Sequence, residues 1–176
     1  MQASLSCVAK GANKAVVEQF GLRHSPLLLG LAKNTERLDM VHALTRPRHP
    51  LAVAMLAPFP WRGLGVATYI VRAAAGHVTP GFAQVLKRPD RPESDILALA
   101  PDLAHSGPPA DATWSQLLLR LTHDAGYHGV QRIFVSAPAD GREVELLRHV
   151  GFAPYTQETI YRWEPSNALA PVANGD

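Results

Sequence analysis

The chain has 176 residues, 47% of them apolar and 18% charged, with a formal net charge of +2. That is one domain's worth of chain with enough apolar residues for a core, which excludes wholesale disorder, and the small charge surplus excludes a strongly basic nucleic-acid binder. The longest apolar run, 51–58, is far short of the roughly 20 residues that span a bilayer, and no basic stretch leads into a long apolar one near the start. With Cys7 alone there is no intrachain disulfide and no cysteine-based zinc site, so a reduced, cytoplasmic setting is expected.

No repeat or low-complexity tract divides the chain: residues 1–165 read as a single domain and 166–176 as a small, polar, flexible tail. Residues 15–20, AVVEQF, fit a short strand or a helical turn. Thr35 is placed to cap a helix over ERLDMVHALT, with Leu38, Val41 and Leu44 at helical spacing and Pro47 ending it. Pro50 opens a second short helix that stops near Pro58 and Pro60. VATYIVRA, 66–73, is rich in β-formers, and a turn around Gly76 leads to a second strand, GFAQVLK, over 81–87. Pro89 and Pro92 among charges mark an exposed connection, and DILALA, 95–100, reads as a third strand stopped by Pro101. Short links between three strands predict an antiparallel meander.

The rhythm then changes. Trp114, Leu117, Leu118, Leu121 and Ala125 recur at helical spacing, with Asp111 or Thr113 as cap and Gly126 and Gly129 at the exit. RIFV, 132–135, reads as a strand covered on both faces. Asp140 is placed to cap a helix with Val144, Leu147 and Val150 on one face, ended by Gly151, and 155–163 alternates as a closing strand. A meander followed by α-β-α-β predicts a mixed α/β sheet, not a doubly wound one. Neither the dinucleotide fingerprint nor the P-loop pattern occurs.

The ordered set DILALAPD…TWSQLLLRLTHDAGYHGVQRIFV…VELLRHVGFAPYTQETIYRW, within residues 93–164, resembles the second half of a GNAT (GCN5-related) N-acetyltransferase. The resemblance implies the GNAT-like acyl-CoA N-acyltransferase fold and transfer of an acetyl group from acetyl-CoA to an unknown small-molecule or peptide amine. It implies that a pantetheine arm pairs with the backbone of Leu97, Ala98 and Leu99, on the strand before the phosphate loop. By the same resemblance Gly107 stands near one of the family's loop glycines, and the N–H groups of Ala112 and Thr113 remain available to the diphosphate. Three features depart from the family. The loop pattern Q/R-x-x-G-x-G/A is absent, and Pro108 and Pro109 have no N–H to donate. Asp111 adds a negative charge where phosphates would sit. Leu147 stands where the family often has a tyrosine, and Ser136, Ala137 and Pro138 include no asparagine. The alternative reading is a non-catalytic GNAT-like binding or scaffold module that has lost acetyl-CoA binding, because a fold does not fix a function. Such folds often pair a final strand across a two-fold axis, so a homodimer is expected by analogy.

Glu93 and Asp95, at the start of the cofactor strand, are the candidate bases; a solvated turn beside Arg91 is the commoner use of such residues. Tyr155, Tyr161 and Trp163 fit core or interface, and Glu158 a structural pairing. The eight histidines show no ligand spacing, so no metal is expected, although His105 lies in the phosphate loop. Arg46, Arg48, Lys87, Arg88 and Arg91 fit a solvated basic rim or the adenosine end of the cofactor. Cys7 has no histidine–acid arrangement near it in sequence.

Overall fold

Runs of apolar and β-forming residues at 66–71, 81–87 and 93–100 give three strands with two faces to bury. The computed structural model describes residues 16–38, 49–56, 65–72 and 78–159, and places these strands side by side. β1 is Val17–Gln19, β2 Glu36–Arg37, β3 Val66–Val71, β4 Gly81–Lys87, β5 Glu93–Ala100 and β6 Arg132–Phe134. The helices are α1 Ser25–Leu31, α2 Pro50–Leu56, α3 Pro108–Tyr127 and α4 Arg142–His149.

The meander β3-β4-β5 is antiparallel as predicted, with β1 antiparallel on the outer edge of β3. The outer edge of β5 is shared: β6 runs parallel to its first residues and β2 antiparallel to its last. The two faces of the sheet carry separate cores. Leu28 of α1 and Ala54 of α2 pack with Ile70, Phe82, Ala98 and Ala100 on one face. Trp114, Leu117, Leu118 and Leu121 of α3, with Leu146 and Leu147 of α4, pack with Val71, Val85, Ile96 and Leu99 on the other. Gln84 is buried on the first face, and its side-chain amide donates to the carbonyl of Pro50 at 2.8 Å, which ties the start of α2 to the sheet. Among the described residues no helix is long and apolar enough to cross a membrane.

Several local expectations change. The helix expected from Thr35 does not start there: Glu36 and Arg37 are extended in β2. The Thr35 hydroxyl donates backwards to the Leu31 carbonyl at 2.9 Å, closing α1 rather than capping a new helix, and an open strand edge takes the residues that follow. The rest of that expected helix, from residue 39, lies outside the described residues, as do the turn at Gly76 and the stop at Pro58 and Pro60. α3 starts earlier than its periodicity suggests, with Gly107 as N-cap and Pro108 and Pro109 in the first turn, where a missing N–H leaves no bond unmade. Gly126 lies inside α3, and the chain reverses at Gly129, with φ of 75°. α4 is capped by Gly141 rather than Asp140, and it buries Leu146 beside Leu147. β6 is half-buried at Ile133 and Phe134 and exposed at Arg132, so it is not covered on both faces. Residues 155–159 form no strand, and residue 160 onward, with Tyr161 and Trp163, is outside the described residues. Tyr155 is exposed and meets the ring of Phe134 edge-on, with centroids 6.0 Å apart.

Candidate functional site

One extra residue in β5 creates the site. Gln84 of β4 faces Ala98 and Val85 faces Ile96, which leaves Leu97 without a partner on β4. The bulge breaks the two-residue alternation, so Ile96 and Leu99 share the α3 face while Ala98 turns to the other. On the outer edge, pairing with β6 ends at Asp95 opposite Phe134. Beyond the bulge β5 and β6 part, and the chain's own residues 36–38 fill the wedge.

Glu36 faces Leu99 and Arg37 faces Ala98. The Leu38 N–H donates to the Leu97 carbonyl at 3.0 Å, and the Leu38 carbonyl accepts the Ser136 N–H at 3.0 Å, so one residue bridges both walls of the gap. At the open end the Asp102 N–H donates to the Asn34 carbonyl at 2.9 Å. The Leu38 side chain is 1% exposed in the α3-side core, and burial of a leucine contributes roughly 1.5–3 kcal/mol. Leu97, Ala98 and Leu99 therefore lie along the gap, and this segment already holds their outer edge.

The loop from Pro101 to Gly107 leads from the gap into α3. Trp114, fully buried, donates its indole N–H to the Pro101 carbonyl at 2.8 Å and anchors that loop to the helix. The Ala110 N–H turns back to the Gly107 carbonyl at 2.9 Å. Ala112 and Thr113 sit beyond the first turn. Thr113 is fully buried, and its hydroxyl lies 2.9 Å from the Thr79 carbonyl and 3.0 Å from that of Pro109. Asp111 is paired with Arg142, which also donates to the Ser106 carbonyl at 3.0 Å and draws the start of α4 onto the loop.

The charges around this loop are mostly carboxylates. Asp102 accepts the Ala104 N–H at 2.7 Å and lies 2.7 Å from His105 Nδ1. Burial works against the Asp102 carboxylate, but these two hydrogen bonds hold its pKa below the ordinary range. Glu36 moves the other way. Burial, then the carboxylates of Asp102 and Glu143, push its pKa up, and only His105 counters them. A coenzyme A molecule needs a free strand edge for its amides and a set of N–H donors for its diphosphate. Here the edge is occupied and carboxylates gather where donors are needed, so the residues in this arrangement do not fit the cofactor.

The sign of the Glu36 shift sets a pH dependence. The folded chain keeps the Glu36 proton to higher pH than the unfolded chain does. Its stabilising contribution is full below the ordinary glutamate range and is lost as pH rises through the elevated value. Asp102 contributes in the opposite sense, present above the ordinary range and lost as pH falls through its lowered value. We expect Glu36→Gln to remove the fall in stability that sets in as pH rises above the ordinary glutamate range, and to be more stable than the wild type at neutral pH. Urea midpoints of both proteins from acid to neutral pH test this; parallel profiles would refute it.

Glu93 and Asp95 lie together below the gap, and one arginine holds both. Arg88 forks onto Asp95 with two 2.7 Å bonds and reaches Glu93 at 3.0 Å, while its guanidinium sits 4.8 Å from the centre of the Phe134 ring. Arg91 and Arg132 also approach Glu93, at 3.9 and 3.8 Å. This cluster pins the β4–β5 hairpin to β6. Sequence reasoning set Arg88 on a basic rim and missed Arg142 and the strand role of Leu38. Arg88 stands opposite Glu93 across a proline-marked hairpin, its N–H donating to the Glu93 carbonyl at 2.9 Å, and opposite charges so placed pair across strands.

No protein-family model matches the chain, and no curated protein matches it. Solved structures do. An aminoglycoside N-acetyltransferase, AAC(6')-Iy, in complex with CoA, is 16% identical over 85% of this chain and 99% of its own, with a TM-score of 0.57. An aminoglycoside acetyltransferase from an uncultured soil metagenomic sample, in complex with trehalose, is 13% identical over 86% of this chain and 97% of its own, at 0.56. A ribosomal-protein-alanine N-acetyltransferase from Brucella melitensis biovar Abortus 2308 is 14% identical over 84% of this chain and 99% of its own, at 0.53. The likeness is one of fold: the chain has the mixed α/β architecture of the GNAT acetyltransferases.

Proposed function

We propose that the chain is an acyl-CoA-dependent N-acyltransferase, acting with acetyl-CoA on a small-molecule or peptide amine. The observation that carries this reading is the parting of β5 from β6 at the Leu97 bulge, in a fold shared along 85% of the chain with an acetyltransferase structure that contains CoA. In this reading the edge of Leu97, Ala98 and Leu99 receives the pantetheine arm once residues 36–38 leave it. Gly107 and the first turn of α3 face the phosphates, and Ala112 and Thr113 support that turn from within the helix. Glu93 and Asp95 are left out of the base role, because Arg88 occupies both carboxylates.

A second reading has its own support. The carboxylates of Glu36, Asp102 and Glu143 beside the loop, with Pro108 and Pro109 in place of N–H donors, fit a GNAT-fold module that holds no coenzyme. Calorimetric titration with acetyl-CoA, CoA and desulfo-CoA separates the two. Micromolar binding is the result expected for the acyltransferase. No heat at millimolar ligand would overturn that reading in favour of the scaffold.

A further inference from the structure

We propose that residues 34–38 form a displaceable strap that closes the gap between β5 and β6, so that the strap and coenzyme A compete for one strand edge. The inference deepens the acyltransferase reading and rests on it.

Four observations support exchange rather than a permanent strand. The strap's ladder on β5 is two residues long, and its further bonds are made by main-chain groups of Asn34 and Leu38. An extended ligand carrying amides can make bonds of the same kind with Leu97–Leu99, so leaving the edge costs the protein few net hydrogen bonds once the ligand replaces it. Only one strap side chain, Leu38, is fully buried; Asn34 and Arg37 are exposed. The half-buried Glu36 carboxyl hydrogen-bonds Asp102 while protonated; once ionised it meets the like charges of Asp102 and Glu143, with His105 as the one opposing group among those that act on it. The strap is also tethered from behind. α1 packs through Leu28 on the opposite face of the sheet, and the Asn34 N–H donates to the Leu31 carbonyl at 2.9 Å. A strap that lifts therefore stays beside the gap and can reclose.

If the closed form dominates, the affinity measured for coenzyme A is reduced by the fraction of molecules that are open. A cross-link tests this directly. Arg37 and Ala98 face each other across the ladder, at a separation suited to a disulfide. The protein is Arg37→Cys with Ala98→Cys in a Cys7→Ser background. The ligand is desulfo-CoA, which has no thiol to open the bridge. The oxidised protein is expected to bind at least about tenfold more weakly than the same protein reduced, and Leu38→Ala at least about tenfold more tightly than wild type. In hydrogen exchange on the wild type, the Leu38 and Ser136 amides are expected to lose protection when desulfo-CoA binds. Equal affinity in the oxidised and reduced states, with both amides still protected, overturns the strap and leaves the acyltransferase reading standing. Failure of every form to bind, reduced protein and Leu38→Ala included, overturns that reading and the strap's role with it.

Discussion

Replacing Trp114 with alanine is expected to destabilise the protein by about 3–5 kcal/mol, the range for emptying a fully buried large aromatic site. In a chain of this length that lowers Tm by about 10 °C. Trp114 is 0% exposed and packs with Leu99, Leu103, Leu117 and Leu118, between β5 and α3. It also has a polar task, because its indole N–H meets the Pro101 carbonyl where β5 ends and the loop of Asp102 and His105 begins. Trp114→Phe separates the two roles. It keeps much of the packing and leaves that carbonyl without its donor, at a cost of about 1–3 kcal/mol. Trp114→Phe is further expected to raise hydrogen exchange at the Asp102 amide, which bonds the strap at Asn34, more than at amides within β4. Urea midpoints and site-resolved exchange check both. A loss below about 1 kcal/mol for Trp114→Ala would mean that the residue does not anchor the core as described.

The parts of the fold that were legible in the sequence are those whose order is local. GFAQVLK occupies β4 from Gly81 to Lys87, as its β-forming residues indicate, and the Trp114-to-Leu121 stripe faces the core as its spacing requires. β2 was not legible, because nothing local makes Glu36 and Arg37 extended. Their conformation is set by a strand edge sixty residues away in sequence, and periodicity at Leu38 mimicked a helix. Capping misled for a related reason. Thr35, Asp111 and Asp140 are all good cap residues, yet Thr35 bonds to α1 and Asp111 to Arg142, while glycines hold the cap positions of α3 and α4.

The site was half legible. The resemblance pointed to Leu97–Leu99, and these residues lie where β5 leaves β6. The occupant of that edge comes from a different part of the chain, and no spacing within 93–164 reveals it. The partners of Glu93 and Asp95 were in view as a nearby arginine, but the sequence favoured Arg91. Arg91 does approach Glu93, at 3.9 Å, but the close bonds come from Arg88, because Leu86 and Lys87 face Asp95 and Ser94, and the next residue curls back over the two carboxylates.

The end of β5 is constrained at Gly81, on the far side of β5 from the strap. Gly81 opens β4 beneath the point where the first turns of α3 cross the sheet. A Cβ placed there would collide with the Ala100 carbonyl and with the γ-methyl of Thr113, well inside van der Waals contact. The carbonyl belongs to the end of β5 and cannot move without shifting the strand, while the threonine is fixed by its hydroxyl bonds to Thr79 and Pro109. Gly81→Ala is therefore expected to cost about 3 kcal/mol, at the upper end for overpacking a close-packed interior. Thr113→Ser removes the methyl and keeps the hydroxyl bonds, so it relieves one of the two collisions. The double variant Gly81→Ala/Thr113→Ser is expected to recover about 1 kcal/mol relative to the sum of the single changes, an interaction of the size contacting residues show in such cycles. Strict additivity in urea unfolding would mean that α3 does not bear on Gly81. Recovery would show that α3 and the end of β5 press on one glycine, so that packing on the sheet helps to position α3.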